Sequence, residues 1–275
     1  MVVAPGTPLW RYAHLIELQH VLADRQLRLT RVDKFRDPFE GSVPNQQIED
    51  QGVIFRGGAL MAMAMESAAA NFPGMARPIH VTTDPWTLMA IRRKAAARSA
   101  HASCWTKAVE SEPRWRLYCN DEAPGQGVTM RTTYGRLEAS VAHHGLIVQG
   151  IDYRHYHVGP AFADERAPFL HKRMGFQDEE EIRLLNYNEA HKNALAYALT
   201  ADGRFGPPPP PPAELPEHIH VGWNPLDVLD GIIVSPYATA DYEQRVRDML
   251  ATVAPAAVPL IELSRFSARS ANPLF

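Results

Sequence analysis

The stretch Phe176-Gln177-Asp178-Glu179-Glu180-Glu181-Ile182-Arg183-Leu184-Leu185 opens acidic and closes apolar. That order reads as a loop running into a strand. Alternate side chains of a strand share a face, so Ile182 and Leu184 mark the core side. Glu179, Glu181 and Arg183 then line the other side, with the two carboxylates about 6–7 Å apart at roughly 3.3 Å per residue. Such a row is either a self-neutralising solvated edge or a cleft strand carrying catalytic or ligand-binding acids.

Toward the N-terminus, Leu9 to His14 reads as a strand, Leu15 to Arg25 as a helix with Leu15, Leu18, Val21 and Leu22 at helical spacing, and Leu27 to Thr30 as a second strand. Asp33 to Ser42 is rich in turn formers. Leu60 to Ala70 is dense in Ala and Met, both strong helix formers. Asp84-Pro85 starts a helix toward Ser99, with an acid at the cap and proline at the first helical position. His101 to Thr106 and Val128 to Thr132 read as strands, with a helical turn over Arg114 to Tyr118 between them. Tyr134 to Ala142 is a short helix, and Leu146 to Tyr156 reads as one strand.

Beyond the acidic stretch, Glu189 to Leu199 suits a helix. Pro207 to Pro212 favours polyproline II. Strand patterns resume at His218 to Trp223 and Gly231 to Ser235, Asp241 to Val253 is an amphipathic helix, and Val258 to Leu263 is a last strand. Strands and helices do not alternate strictly. The expected class is α+β, a mixed and largely antiparallel sheet with short helices around it. The expected organisation is a single domain over 1–275, with insertions at about 43–100 and a proline-rich spacer at 203–216.

The formal charge of −3 gives no global argument for nucleic acid as a partner. No apolar run reaches the roughly 18–20 residues of a spanning helix, and the first residues lack a secretory pattern. Cytoplasmic localisation without a membrane partner is the expectation. Cys104 and Cys119 are too few for a disulfide framework or a four-cysteine zinc site. His155-x-His157 and His218-x-His220 each place two imidazoles on one strand face, but no zinc spacing accompanies them, so no metal is expected. There is no G-x-S-x-G, no phosphate loop and no G-x-G-x-x-G.

What remains is a set of polar residues near strand starts: Arg11, Ser103, Thr106, Glu179 and Glu181. They match the needs of an enzyme that cleaves a dinucleotide. An arginine holds phosphate, and a carboxylate stabilises the oxocarbenium-like charge that develops as the base departs.

Several of these pieces together resemble the bacterial domain of unknown function 2971 family: Leu9-Trp10-Arg11-Tyr12, Leu27-Arg28-Leu29-Thr30, Phe35-Arg36-Asp37-Pro38-Phe39-Glu40, Ser103-Cys104-Trp105-Thr106, Trp115-Arg116-Leu117-Tyr118 and Gly127-Val128. That family's later lysine, aromatic and E-x-E-x-R pattern is matched by Lys172, Phe176, Glu179, Glu181 and Arg183. More remotely, the opening strand-helix-strand, the serine-bearing middle strand and the E-x-E resemble the ADP-ribosyltransferase superfamily. That resemblance implies an ADP-ribosyltransferase-like fold with NAD as substrate. It also implies Arg11 on the pyrophosphate, Ser103 shaping the nicotinamide site, Glu181 as the catalytic acid and Glu179 selecting the acceptor. Tyr12, Trp105 and Tyr118 would complete the cofactor site, Trp105 or Tyr118 by stacking on nicotinamide. The usual S-T-S is Ser-Cys-Trp-Thr here, and the loop from Asp37 to Glu40 has no counterpart.

Three expectations stand side by side. One is an NAD-dependent ADP-ribosyltransferase-like enzyme. Another is a metal-dependent nuclease or defence effector, in which Asp37, Glu40, Glu179 and Glu181 gather a divalent ion. The third is a non-catalytic interaction module, in which Arg11, Lys172 and Arg183 neutralise those acids as a structural network.

Overall fold

A computed structural model describes residues 3–37, 39–43, 85–121, 123–155, 162, 164–200 and 210–267. The helix expected over Leu60 to Ala70, His157 and Pro207 to Pro209 lie outside the described residues. The chain opens as β1 (Pro8–Ala13), α1 (Leu15–Asp24) and β2 (Gln26–Arg31). Then come α2 (Pro85–Ala97), β3 (Ala100–Thr106), α3 (Glu112–Tyr118), β4 (Val128–Thr133) and α4 (Tyr134–Val141). Leu146 to Tyr156 is not one strand. It divides at Ile151 into β5 (Ile147–Gly150) and β6 (Asp152–Arg154). The Ile151 N–H is taken by the Glu181 carbonyl, and β6 pairs instead with β7 (His171–Arg173) in a separate two-stranded sheet. The rest is β8 (Glu181–Tyr187), α5 (Glu189–Thr200), β9 (His218–Gly222), α6 (Pro225–Val228), β10 (Gly231–Val234), α7 (Ala240–Val253) and β11 (Ile261–Leu263). Pro255–Leu260 forms a 3-10 helix, which shortens the last strand relative to its apolar run, with Pro259 inside it.

Nine strands, among the described residues, form one sheet in the order β11-β10-β4-β1-β3-β2-β9, with β8 on β3 and β5 on β8. All pairs in it are antiparallel except β10 with β11. The protein is therefore α+β, with short helices around a mixed, mostly antiparallel sheet. β8 covers the whole of β3, from Ala100↔Tyr187 to Thr106↔Glu181. The other edge of β3 is shared. β1 meets it at Trp10↔Thr106, and β2 at Thr30↔Ala102 and Arg31↔His101. β1 and β2 thus part from each other beside Ser103 to Trp105.

One face of the sheet carries the main core. Leu18, Val21 and Leu22 of α1, Leu137 of α4 and Val246 and Leu250 of α7 pack on Leu9, Leu27, Trp105, Met130, Ile182 and Leu184. Each such side chain contributes about 1.5–3 kcal/mol by leaving water. The opposite face holds two smaller clusters. One is centred on Phe169, Leu170 and Leu185, the other on Trp115, Cys119 and Ile233 with Trp10 and Tyr12. The first turn of α1 is capped from a distance: Asp121 accepts the Leu15 N–H at 2.9 Å and meets His14 Nδ1 at 2.6 Å, and the Tyr242 hydroxyl of α7 donates to it. The proline-run tail is held on the body. Arg31 donates to the Leu215 carbonyl at 2.5 Å, and His101 Nε2 lies 2.8 Å from the Pro216 carbonyl.

Candidate functional site

The acidic stretch becomes a 3-10 helix (Met174–Glu179) followed by β8. Between them Glu180 adopts a left-handed backbone, φ 43. Glu179 is therefore not on the strand. The two-residue period that would align Glu179 with Glu181 and Arg183 is broken at Glu180, which swings the chain into the sheet. The remainder of the pattern holds: Ile182 and Leu184 are in the main core.

Glu179 and Glu181 nevertheless converge, because Lys172 of β7 lies between them. Its Nζ is 2.6 Å from Glu179 Oε2, 3.2 Å from Glu181 Oε2 and 3.5 Å from Glu40 Oε1. Arg183 completes the group. Its Nε donates to Glu181 Oε1 at 2.7 Å, Nη1 to Glu40 Oε2 at 3.0 Å and to the Phe169 carbonyl at 2.7 Å, and Nη2 to Glu40 Oε1 at 3.1 Å. The Arg183 side chain is 0% exposed, and those of Glu40 and Glu181 are 4% exposed each. Buried charges persist only when paired and hydrogen-bonded, and here both oxygens of both buried acids are engaged. Gly41, at φ 69, turns the chain directly after Glu40, and a Cβ there would meet the Phe169 ring at 2.5 Å.

The protonation states follow from this packing. Burial alone would raise the Glu181 carboxyl, but Arg183 and Lys172 outweigh it and hold it at about 2. Burial opposes the charges of Lys172 and Arg183 too, and the acids around them prevail and raise both. Desolvation, then the Glu181 carboxylate, pushes the Cys104 thiol well up, which disfavours its thiolate.

The network runs outward to solvent through Glu179, whose side chain is 24% exposed. The Tyr118 hydroxyl donates to Glu179 Oε1 at 3.2 Å, and burial followed by Glu179 raises that phenol. Thr106 donates to the Glu179 carbonyl at 2.5 Å. Tyr12 packs against Trp115 and Tyr118 at 5.0 and 6.0 Å between ring centroids, and burial pushes its phenol up to about 12. Phe176 lies under Lys172 and Arg173. Asp37 accepts from Arg173 at 3.0 Å. Each of Asp37, Glu40, Glu179 and Glu181 thus already holds a lysine or arginine. Among the described residues no group of three or more His, Cys, Asp or Glu is arranged to hold a metal ion.

Arg11 and Ser103 also meet: Arg11 Nη1 donates to Ser103 Oγ at 2.8 Å, and Nη2 to Glu17 Oε1 at 2.5 Å. They do not join the acids. Ser103 lies opposite Leu184 and Cys104 opposite Arg183 in an unbroken register. Neighbouring positions of a strand project to opposite faces, so the Arg11–Ser103 pair faces the main core while Glu181 and Arg183 face away. Trp105 shares the core face with Ser103. It is 2% exposed and packs edge-on against Trp223 at 6.2 Å, so no ligand reaches its ring. Of the residues expected to hold a dinucleotide, Tyr12 and Tyr118 lie on the side of Glu181, and Arg11, Ser103 and Trp105 do not.

Two participants were invisible in the sequence. Tyr153 accepts the Glu181 N–H at 2.8 Å, and the Phe169 carbonyl takes Arg183. Neither leaves a local signal. The sequence offers Glu40 through the Phe35 to Glu40 resemblance and as a candidate metal ligand, but not its pairing with Arg183, 143 residues away.

Fold and site together define an α+β protein with a five-residue charge network on one face of its sheet, buried except at Glu179. No protein-family model, no curated protein and no solved structure matches the chain. No helix of the described residues is long and apolar enough to cross a membrane.

Proposed function

We propose that this chain is a non-catalytic interaction module whose charge network is structural. The observation that carries this reading is the closure of Glu181: both of its oxygens are held, by Arg183 at 2.7 Å and Lys172 at 3.2 Å, in a side chain 4% exposed. A carboxylate so buried and already neutralised by two cations is poorly placed to meet a ribosyl cation or a divalent ion. The network ties the Glu40 loop to the distant run of β7, the 3-10 turn and β8. The test is NAD consumption by the whole chain, together with a thermal-shift screen of NAD, nucleotides and divalent ions. This reading expects neither NAD turnover nor a shift with NAD. NAD cleavage that disappears in Glu181→Gln while the melting temperature holds would overturn it.

One observation favours a second reading, an NAD-dependent ADP-ribosyltransferase-like enzyme. Glu179 is the network's solvent-side carboxylate and is hydrogen-bonded to the exposed Tyr118. In that reading Glu179, rather than Glu181, stabilises the developing positive charge, and Tyr118 lies against the departing base. NAD turnover lost in Glu179→Gln with stability retained would select it.

A further inference from the structure

We propose that the cavity between α1 and the β2–β9 pair binds a small oxyanion, with Arg28 as its anchor and His218 and His220 beside it. This goes beyond the charge network and stands whether that network is structural or catalytic. The cavity has a volume of about 190 Å³ and is lined by Glu17, His20 and Asp24 of α1, Arg28 of β2 and His218 and His220 of β9, among others. Arg28 lies directly across from His220, and His218 is two positions along the same strand, so all three project to one face.

What points to a ligand is the state of Arg28. Its guanidinium makes no hydrogen bond among the described residues, and its Nε is buried without a partner. Its one ion pair is with Glu17 Oε1 at 3.7 Å, and that oxygen already accepts from Arg11 at 2.5 Å. Arg11 and Arg28 thus share the one Glu17 carboxylate, with Arg28 the more distant partner. His218 Nδ1 is a second buried atom without a partner. Leaving a buried polar group unsatisfied is destabilising, and the cavity is lined by both of the residues that carry one.

The chemistry selects the ligand class. A planar guanidinium matches the paired oxygens of a carboxylate or phosphate, and imidazoles add further donors. Metal is not the occupant the geometry favours, since the histidines and acids here do not gather as a ligand set. At about 190 Å³ the cavity suits a small anion better than a whole dinucleotide. Asp24 is exposed, where its charge is screened by salt.

Isothermal titration of the whole chain with inorganic phosphate, and separately with acetate, tests the site. The expected result is saturable one-to-one binding of at least one anion. It should be weakened about ten- to a hundredfold by Arg28→Gln, the range that charge-assisted hydrogen bonds carry, and by a smaller factor in His220→Ala. The Arg28 side chain is 41% exposed, so the melting temperature should not move, and His220→Ala supplies an independent reading. Preference for phosphate identifies a phosphate ester as the ligand class, and preference for acetate a carboxylate. Absence of saturable binding of both anions, or binding that survives both substitutions unchanged, overturns the proposal.

Discussion

Replacing Arg183 by alanine removes four hydrogen bonds at once, one to Glu181, two to Glu40 and one to the Phe169 carbonyl. It leaves two carboxylates, each 4% exposed, with the Lys172 ammonium as their one remaining cation among the described residues, at 3.2 and 3.5 Å. Breaking a buried charge network by deleting one partner costs about 3–5 kcal/mol. At about 2–4 °C per kcal/mol for a domain of this size, the midpoint should fall by about 6–20 °C. Urea unfolding followed by tryptophan fluorescence measures the loss as a change in midpoint at constant slope. A companion variant separates charge from packing. Substituting Arg183, Glu40 and Glu181 together by apolar residues of similar volume should recover much of the loss, because replacing a buried charge set whole is often neutral or stabilising. A cost below about 1 kcal/mol for Arg183→Ala, the worth of an exposed pair, would refute the reasoning.

Other outcomes follow from the same geometry. The Glu181 carboxyl is depressed from its ordinary value of 4.5 to about 2 in the folded chain, so its stabilisation is complete above about pH 4.5 and disappears as pH falls through 2. Acid titration of unfolding should show that loss in the wild type and a smaller one in Glu181→Gln. At Glu180, where a side chain other than glycine pays about 1–2 kcal/mol for the left-handed backbone, Glu180→Gly should be neutral or stabilising by up to about 1 kcal/mol. Glu180→Val should destabilise, and calorimetry of the two variants reads the order. Asp121→Ala should cost about 1–3 kcal/mol in denaturant unfolding, since it uncaps the Leu15 N–H and abandons the buried Tyr242 hydroxyl.

The opening β1-α1-β2 unit, the strand at His101 to Thr106 and the helix over Asp241 to Val253 were legible because each carries its own period and punctuation. The convergence of Lys172, Glu179, Glu181 and Arg183 was legible as a set, since all lie within a dozen residues. Its geometry was not. One left-handed residue, Glu180, changes which side chains share a face, and nothing in a run of three glutamates marks the middle one. The separation of Arg11 and Ser103 from Glu181 was equally hidden. It depends on the register of β3 against β8, and shifting that register by one residue would exchange their faces. The break at Ile151 falls where β8 itself begins: the Ile151 N–H makes the last bond of the β5–β8 register, to Glu181, and the chain then pairs with β7, a tertiary choice with no local residue to signal it. The distant capping of α1 by Asp121 joins residues 106 positions apart, beyond any sequence window.

The measurement that bears most directly on a structural network is the unfolding free energy of Glu181→Gln, made alongside its NAD consumption. The substitution keeps the side chain's shape and removes the charge that faces Arg183 and Lys172. A loss of several kcal/mol, with NAD consumption absent in wild type and variant alike, is the result expected of a structural keystone. Unchanged stability, with an NAD-cleaving activity present in the wild type and gone in the variant, would contradict it.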